Sequence, residues 1–138
     1  MKPLLLLLTL LLASFQSLAD KPVAQATIPG TTLISAEQLV EMIYSFPTLI
    51  IVDARRHEEY AKGHIEGAIF MLDTDMTPAL LSSKVRTKET PLVFYCNGER
   101  CMRSTNASKK AVSWGYQRIY WFRGGWQEWL AKGLPVSR

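Results

Sequence analysis

Cys96, Asn97, Gly98, Glu99, Arg100, Cys101, Met102 and Arg103 place two thiols and two guanidinium groups within one short run. The thiolate is the nucleophilic form of cysteine, and a free thiol with a pKa of about 8.5 is mostly protonated at neutral pH. Arginine charge, a helix N-terminus and a curl of backbone N–H groups each favour the anion. Such a curl also binds an external oxyanion: thiosulfate, sulfonate, phosphate or arsenate. The amides of residues 97–103 are therefore expected to form a cradle, with Arg100 and Arg103 supplying charge-assisted hydrogen bonds. Gly98 is expected to bend it through a positive φ angle. Glu99 offsets part of the positive field, leaving the loop at +1.

The elements on either side position this loop. Leu92–Tyr95 is an apolar run that delivers Cys96 into the loop, and the spacing after it predicts a helix over Thr105–Trp114, stopped by Gly115. Upstream, Thr32–Ile34 is a short strand candidate. Ser35 and Gln38 read as a capping box, opening a helix with Leu39, Val40, Met42 and Ile43 on its buried stripe and Pro47 at its end. Leu49–Val52 is a β-branched run suited to a central parallel strand. His57–Ala61 and Met76–Lys84 read as helices, and Ala68–Leu72 and Ile119–Phe122 as strands. A last helix, Trp126–Lys132, is closed by Gly133 and Pro135. Short alternation of strands and helices predicts an α/β fold, with a mainly parallel central sheet flanked by helices. Ligands of such sheets bind at the carboxyl ends of the strands, where Cys96 lies.

Residues 1–19 read as a cleavable signal peptide: Lys2, the leucine run Leu4–Leu12, and small residues at Ser17 and Ala19. The apolar run is shorter than the ~20 residues of a spanning helix. Cleavage after Ala19, a periplasmic or secreted location and no lasting membrane association are the expectations. Residues 20–31 read as an extended lead-in, and residues 32–138 as one domain with a single core. A net charge of +4 without a basic run or interleaved aromatics gives no nucleic-acid signature.

Leu-Ile-Ile-Val-Asp53-Ala-Arg55 followed by Glu59-Tyr60-Ala-Lys-Gly63-His64-Ile65-Glu-Gly67-Ala68 resembles the first half of a rhodanese domain. Val93-Phe-Tyr-Cys96, Gly115-Tyr116, Arg123-Gly124-Gly125-Trp126, Trp129 and Gly133-Leu134-Pro135 resemble the second half. The resemblance spans residues 32–136 and implies the rhodanese-like fold, with helices on both faces of the sheet. It also implies sulfurtransferase activity: Cys96 would take a sulfane sulfur from thiosulfate or a similar small anionic donor, become a persulfide, and pass the sulfur to cyanide or a thiol, including a thiol of a partner protein. It implies no cofactor and no metal. The family's loop commonly carries an arginine five residues after the cysteine, then a small hydroxyl residue. Here that position is Cys101, and Arg103-Ser104 follows two residues later, so the loop reads as lengthened. Phosphatase relatives of the fold leave five residues between cysteine and arginine, whereas six separate Cys96 from Arg103, and Tyr95 stands where a histidine often precedes their cysteine. Phosphatase or arsenate-reductase chemistry is the weaker reading.

Cys101 has three readings. It forms a stable disulfide with Cys96, as export permits; it is a resolving thiol that attacks an oxidised or persulfidated Cys96; or turnover does not require it. The pair also supports an alternative function, as a thiol–disulfide redox or sulfur-carrier protein. Asp53 and Arg55 read as a structural salt bridge. His64 reads as part of a turn and not as a catalytic partner, and two histidines without suitable spacing do not make a zinc site. Trp129 reads as core, Trp126 is open between core and substrate mouth, and Lys109 and Lys110 are expected to face solvent.

Overall fold

The computed structural model describes residues 23–138. The signal peptide and its cleavage point fall outside them, as does the start of the lead-in. Five strands form one parallel sheet: β1 (Thr31–Leu33), β2 (Ile50–Asp53), β4 (Ile69–Phe70), β5 (Leu92–Tyr95) and β6 (Ile119–Phe122), in the order β1-β6-β5-β2-β4. A second, antiparallel pair joins β3 (His64–Ile65) to β7 (Val136–Ser137). The helices are α1 (Ala36–Ser45), α2 (His57–Lys62), α3 (Pro78–Lys84), α4 (Arg103–Ser113) and α5 (Gly125–Ala131).

The two-residue period of β5 explains the layering. Leu92 and Phe94 point to one face, where they pack with Val52, Leu81 of α3 and Ala107 and Ala111 of α4. Val93 and Tyr95 point to the other, packing with Ala36, Leu39 and Met42 of α1 and Trp129 of α5. With both faces covered, a central strand must be apolar throughout, as β5 is. β5 lies between β2 and β6 in register Val52↔Phe94↔Trp121, so the residue that follows it emerges at the carboxyl edge of the sheet's middle. The expected capping box is present: Ser35 Oγ accepts the Gln38 N–H and Gln38 Oε1 accepts that of Ser35.

Several expectations change. His64 sits in β3 and not in a turn; its ring stacks on Tyr60 with centroids 3.7 Å apart. The Ala68–Leu72 strand shortens to β4. The lead-in is no mere approach to the domain: Ala24 and Ile28 are buried against Trp121. Among the described residues, no helix is long and apolar enough to cross a membrane.

Beneath the site lies a buried ion pair. The Asp53 carboxylate, fully buried at the end of β2, accepts from Arg55 Nε at 3.0 Å and Nη2 at 2.7 Å, from the Arg55 backbone N–H at 3.0 Å, and from Tyr95 Oη at 2.7 Å. Arg55 Nη2 also donates to the Gly63 carbonyl at 2.6 Å, and its guanidinium lies 4.6 Å from the Trp126 ring centroid. Tyr95 Oη in turn accepts the Ile65 N–H. One carboxylate thus ties β2, β5, β3 and the start of α5 together, which is the structural bracing role read for Asp53 and Arg55. It also settles Trp126, which is half-buried over Arg55.

Candidate functional site: a two-thiol loop at the carboxyl end of β5

Cys96 follows the last residue of β5 and is almost wholly buried. Its carbonyl oxygen accepts the Trp126 N–H at 2.8 Å, and the Asn97 carbonyl accepts the Gln127 N–H at 2.9 Å. The first turn of α5 therefore spends its unpaired donors on the start of the loop. The approach is close enough to need a glycine at Gly125, whose φ is +57° and whose added Cβ would collide with the Cys96 carbonyl. Gly98 is different from expectation: it is not among the positive-φ glycines. A side chain there would stand 2.6 Å from Gln127 Oε1, so its use is space for Gln127.

The sulfur of Cys96 lies 3.2 Å from both Ser104 Oγ and the Cys101 carbonyl oxygen. Ser104 is itself buried, and Trp121 Nε1–H donates to its oxygen at 3.0 Å. With that donor on its oxygen, Ser104 has its own proton to offer to the Cys96 sulfur. A hydroxyl proton there favours negative charge on sulfur.

The second thiol occupies the centre of the cradle. Both cysteines are free, and their side chains are close enough for the Cys96 thiol to favour a negative charge on Cys101. The backbone N–H groups of Asn97 and Arg103 also point at the Cys101 sulfur. Arg103 is the first residue of α4, a helix with no side-chain cap, so the Cys101 sulfur takes one of its orphan N–H groups. The helix α4 begins at Arg103, two residues before the expected Thr105. The anion held by the nest is the chain's own thiolate. Donation from Cys96 lowers the Cys101 pKa to about 6, burial opposes this, and the two N–H groups and the Arg103 charge reinforce it. The same bond and burial push Cys96 upward, so the pair holds one negative charge in common.

A pH titration follows directly. The ultraviolet thiolate absorbance of the reduced protein should rise with a midpoint of about 6, and Cys96→Ala, which removes the donating thiol, should move that midpoint toward the ordinary value near 8.5. The folded value lies below the unfolded one. The stability it contributes is therefore complete above the ordinary thiol range and is lost as pH falls through about 6.

Arg103 does not reach into the cradle. Its Nη1 donates to the Asp73 carboxylate at 2.9 Å, and Asn106 Nδ2 donates to the other oxygen at 3.2 Å. Lys110, expected to face solvent, donates to the Asp73 backbone carbonyl at 2.6 Å. Asp73 is 4% exposed, and a buried carboxylate demands such partners. Arg100, Glu99 and Met102 lie on the exposed outer side of the loop. Glu99 is paired with Arg123 at 2.9 Å, and its carbonyl accepts the Ala24 N–H at 2.6 Å. Arg123 further donates to the carbonyls of Ala24 and Gln25. Glu59, not singled out from the sequence, accepts from Asn97 Nδ2 at 2.7 Å and so brings α2 to the loop. Its only signal is its place in the Glu59–Ala68 run.

The rhodanese-like domain model matches residues 35–132, and the chain belongs to that family. It is 27% identical over 134 residues to the uncharacterized protein YibN of Escherichia coli K12, covering 96% of this chain and 85% of that one. Among solved structures, the BH2092 protein of Bacillus halodurans superposes with a TM-score of 0.70 at 25% identity, covering 78% of this chain and 77% of that one. The human single-domain sulfurtransferase TSTD1 does so with a TM-score of 0.60 at 28% identity, over 74% and 97% of the two chains. The chain is thus a rhodanese-like domain related to sulfurtransferases, with the α/β architecture read from its sequence.

Proposed function

We propose that the protein is an exported sulfurtransferase that carries a sulfane sulfur as a persulfide on Cys96, taken from thiosulfate or a similar donor and passed to a thiophilic acceptor such as cyanide or a thiol. The observation that carries this reading is the environment of the Cys96 sulfur: fixed at the end of β5, with the buried Ser104 hydroxyl 3.2 Å away and the Ser104 backbone N–H beside it, both favouring negative charge on sulfur. That environment suits a terminal sulfur anion as well as a thiolate. Among such donors, the hold of Asp73 on Arg103 favours a singly charged persulfide over the thiosulfate dianion. Engagement of Arg103 also counts against phosphatase or arsenate-reductase chemistry, which needs a guanidinium on the oxyanion. The test is the intact mass of the reduced Cys101→Ser protein, in which Cys96 is the one thiol left in the loop, after treatment with glutathione persulfide. A gain of one sulfur atom, mapped to the peptide that contains Cys96, supports the reading, and an unchanged mass overturns it.

The contact between the two thiols favours a second reading, a thiol–disulfide redox or sulfur-carrier protein acting on partner proteins. It differs in the acceptor, a protein thiol instead of a small molecule.

A further inference from the structure

In this loop the first acceptor available to a sulfur on Cys96 is not external. Cys101 lies beside the Cys96 thiol: the Cys96 sulfur is 3.2 Å from the Cys101 carbonyl oxygen, and the Cys101 N–H is fixed to the Gly98 carbonyl at 3.0 Å. The group it touches is the Cys96 sulfur itself, which in a persulfide is the inner sulfur and not the terminal one. Cys96 is 1% exposed, whereas Cys101 is only half-buried. Cys101 is thus the more accessible of the two thiols. Four residues separate the cysteines, a span that a curled loop closes within the Cα separation of about 4.4–6.8 Å that a disulfide requires.

We propose that Cys101 is a built-in resolving thiol that discharges the Cys96 persulfide as sulfide, which makes the protein a reductive sulfide-releasing enzyme and not only a carrier to external acceptors. The inference rests on the sulfurtransferase reading and names the fate of the sulfur. The Cys101 thiolate attacks the inner sulfur of the Cys96 persulfide. A bond forms between the two cysteine sulfurs, and the bond from Cys96 to the terminal sulfur breaks. The terminal sulfur leaves with that electron pair and its proton as hydrosulfide. It has been reduced by two electrons, and the two cysteines have been oxidised to a disulfide. A second turnover requires an external dithiol, which returns the cysteines to the reduced state by thiol–disulfide exchange and is itself oxidised. Stored charge on Cys101 and a shared position in the cradle supply the nucleophile without a further base.

A single-turnover experiment separates this from the reading beneath it. Reduced wild-type protein, Cys101→Ser and Cys96→Ser are each treated anaerobically with glutathione persulfide, desalted, and examined for free sulfide, intact mass and the position of any bound sulfur. The wild type should release about one equivalent of sulfide without added reductant and end two hydrogens lighter than its reduced form. Cys101→Ser should keep the sulfur on Cys96 and release it only when an external thiol is added. Cys96→Ser should neither hold sulfur nor form the lighter species. A wild type that retains the persulfide, or a Cys101→Ser protein that releases sulfide as fast as the wild type, overturns the resolving role alone. Sulfur held on Cys101 in Cys96→Ser reverses the roles of the thiols and also overturns it. A wild type unchanged in mass with no sulfide released overturns both proposals.

Discussion

Cys96→Ser should lose sulfur transfer from a persulfide donor to an external thiol by on the order of a thousandfold or more, with the folded structure intact. A serine hydroxyl at this position is close to isosteric and keeps a hydrogen-bonding group against Ser104 and the Cys101 carbonyl, so the loop should close as before. What it cannot do is ionise near neutral pH or form a sulfur–sulfur bond. The measurement is the rate of persulfide transfer, read beside circular dichroism and the thermal midpoint. A variant that transfers sulfur at the wild-type rate would remove Cys96 from the mechanism. A variant that is inactive because it is unfolded would show it in the thermal midpoint, and Cys96→Ala then provides the repeat without a polar group to place. Cys101→Ser is the informative companion, since by the resolving mechanism it loses sulfide release while keeping the Cys96 persulfide.

The second large effect concerns stability. Asp53→Ala should cost about 3–5 kcal/mol, the usual penalty for leaving one member of a buried ion pair uncompensated. Arg55 is 2% exposed, and apart from Asp53 its guanidinium meets, among the described residues, the Gly63 carbonyl and the faces of Trp126 and Tyr95. Tyr95 Oη loses its acceptor at the same time and is left with only the Ile65 N–H that donates to it. Burial, the largest influence holding the Tyr95 phenol above its ordinary pKa, survives the substitution, so the phenol stays neutral and cannot take over the missing charge. Urea denaturation gives the difference directly. Loss of less than 1 kcal/mol would mean that Arg55 reaches solvent once released, a magnitude typical of exposed pairs. The double variant Asp53→Ala/Arg55→Met should recover part of the loss, because it removes the stranded cation as well.

The parallel core was legible because its physics is local. Ile50–Val52 and Leu92–Tyr95 are apolar at every position, and Ser35 with Gln38 announces the start of α1. The pairing of β3 with β7 was not, since it joins two-residue segments far apart in the chain with no alternation to read. The cysteines were visible as residue types, but their arrangement was not. No spacing rule says that Cys101 turns inward to take the α4 N–H while Arg103 turns away. That outcome depends on Asp73, a buried acid whose partners Arg103, Asn106 and Lys110 lie at i, i+3 and i+7 on one face of α4. The polar stripe was in the sequence, but the carboxylate it serves comes from a distant loop.

The clamp on Glu99 has a thermodynamic corollary. Ala24 and Gln25 are held by Arg123, and Arg123 and Ala24 both hold Glu99, inside the segment that links the two thiols. The strap and the cysteines are thus two ports on one short stretch of backbone. Any free energy by which closing the Cys96–Cys101 bond strains or relaxes Glu99 must reappear, with equal size, in how firmly residues 24–25 are seated. A molecule that grips the strap in one oxidation state more tightly than in the other would shift the reduction potential of the pair by the corresponding amount, and reduction of the pair would loosen or tighten that grip in return.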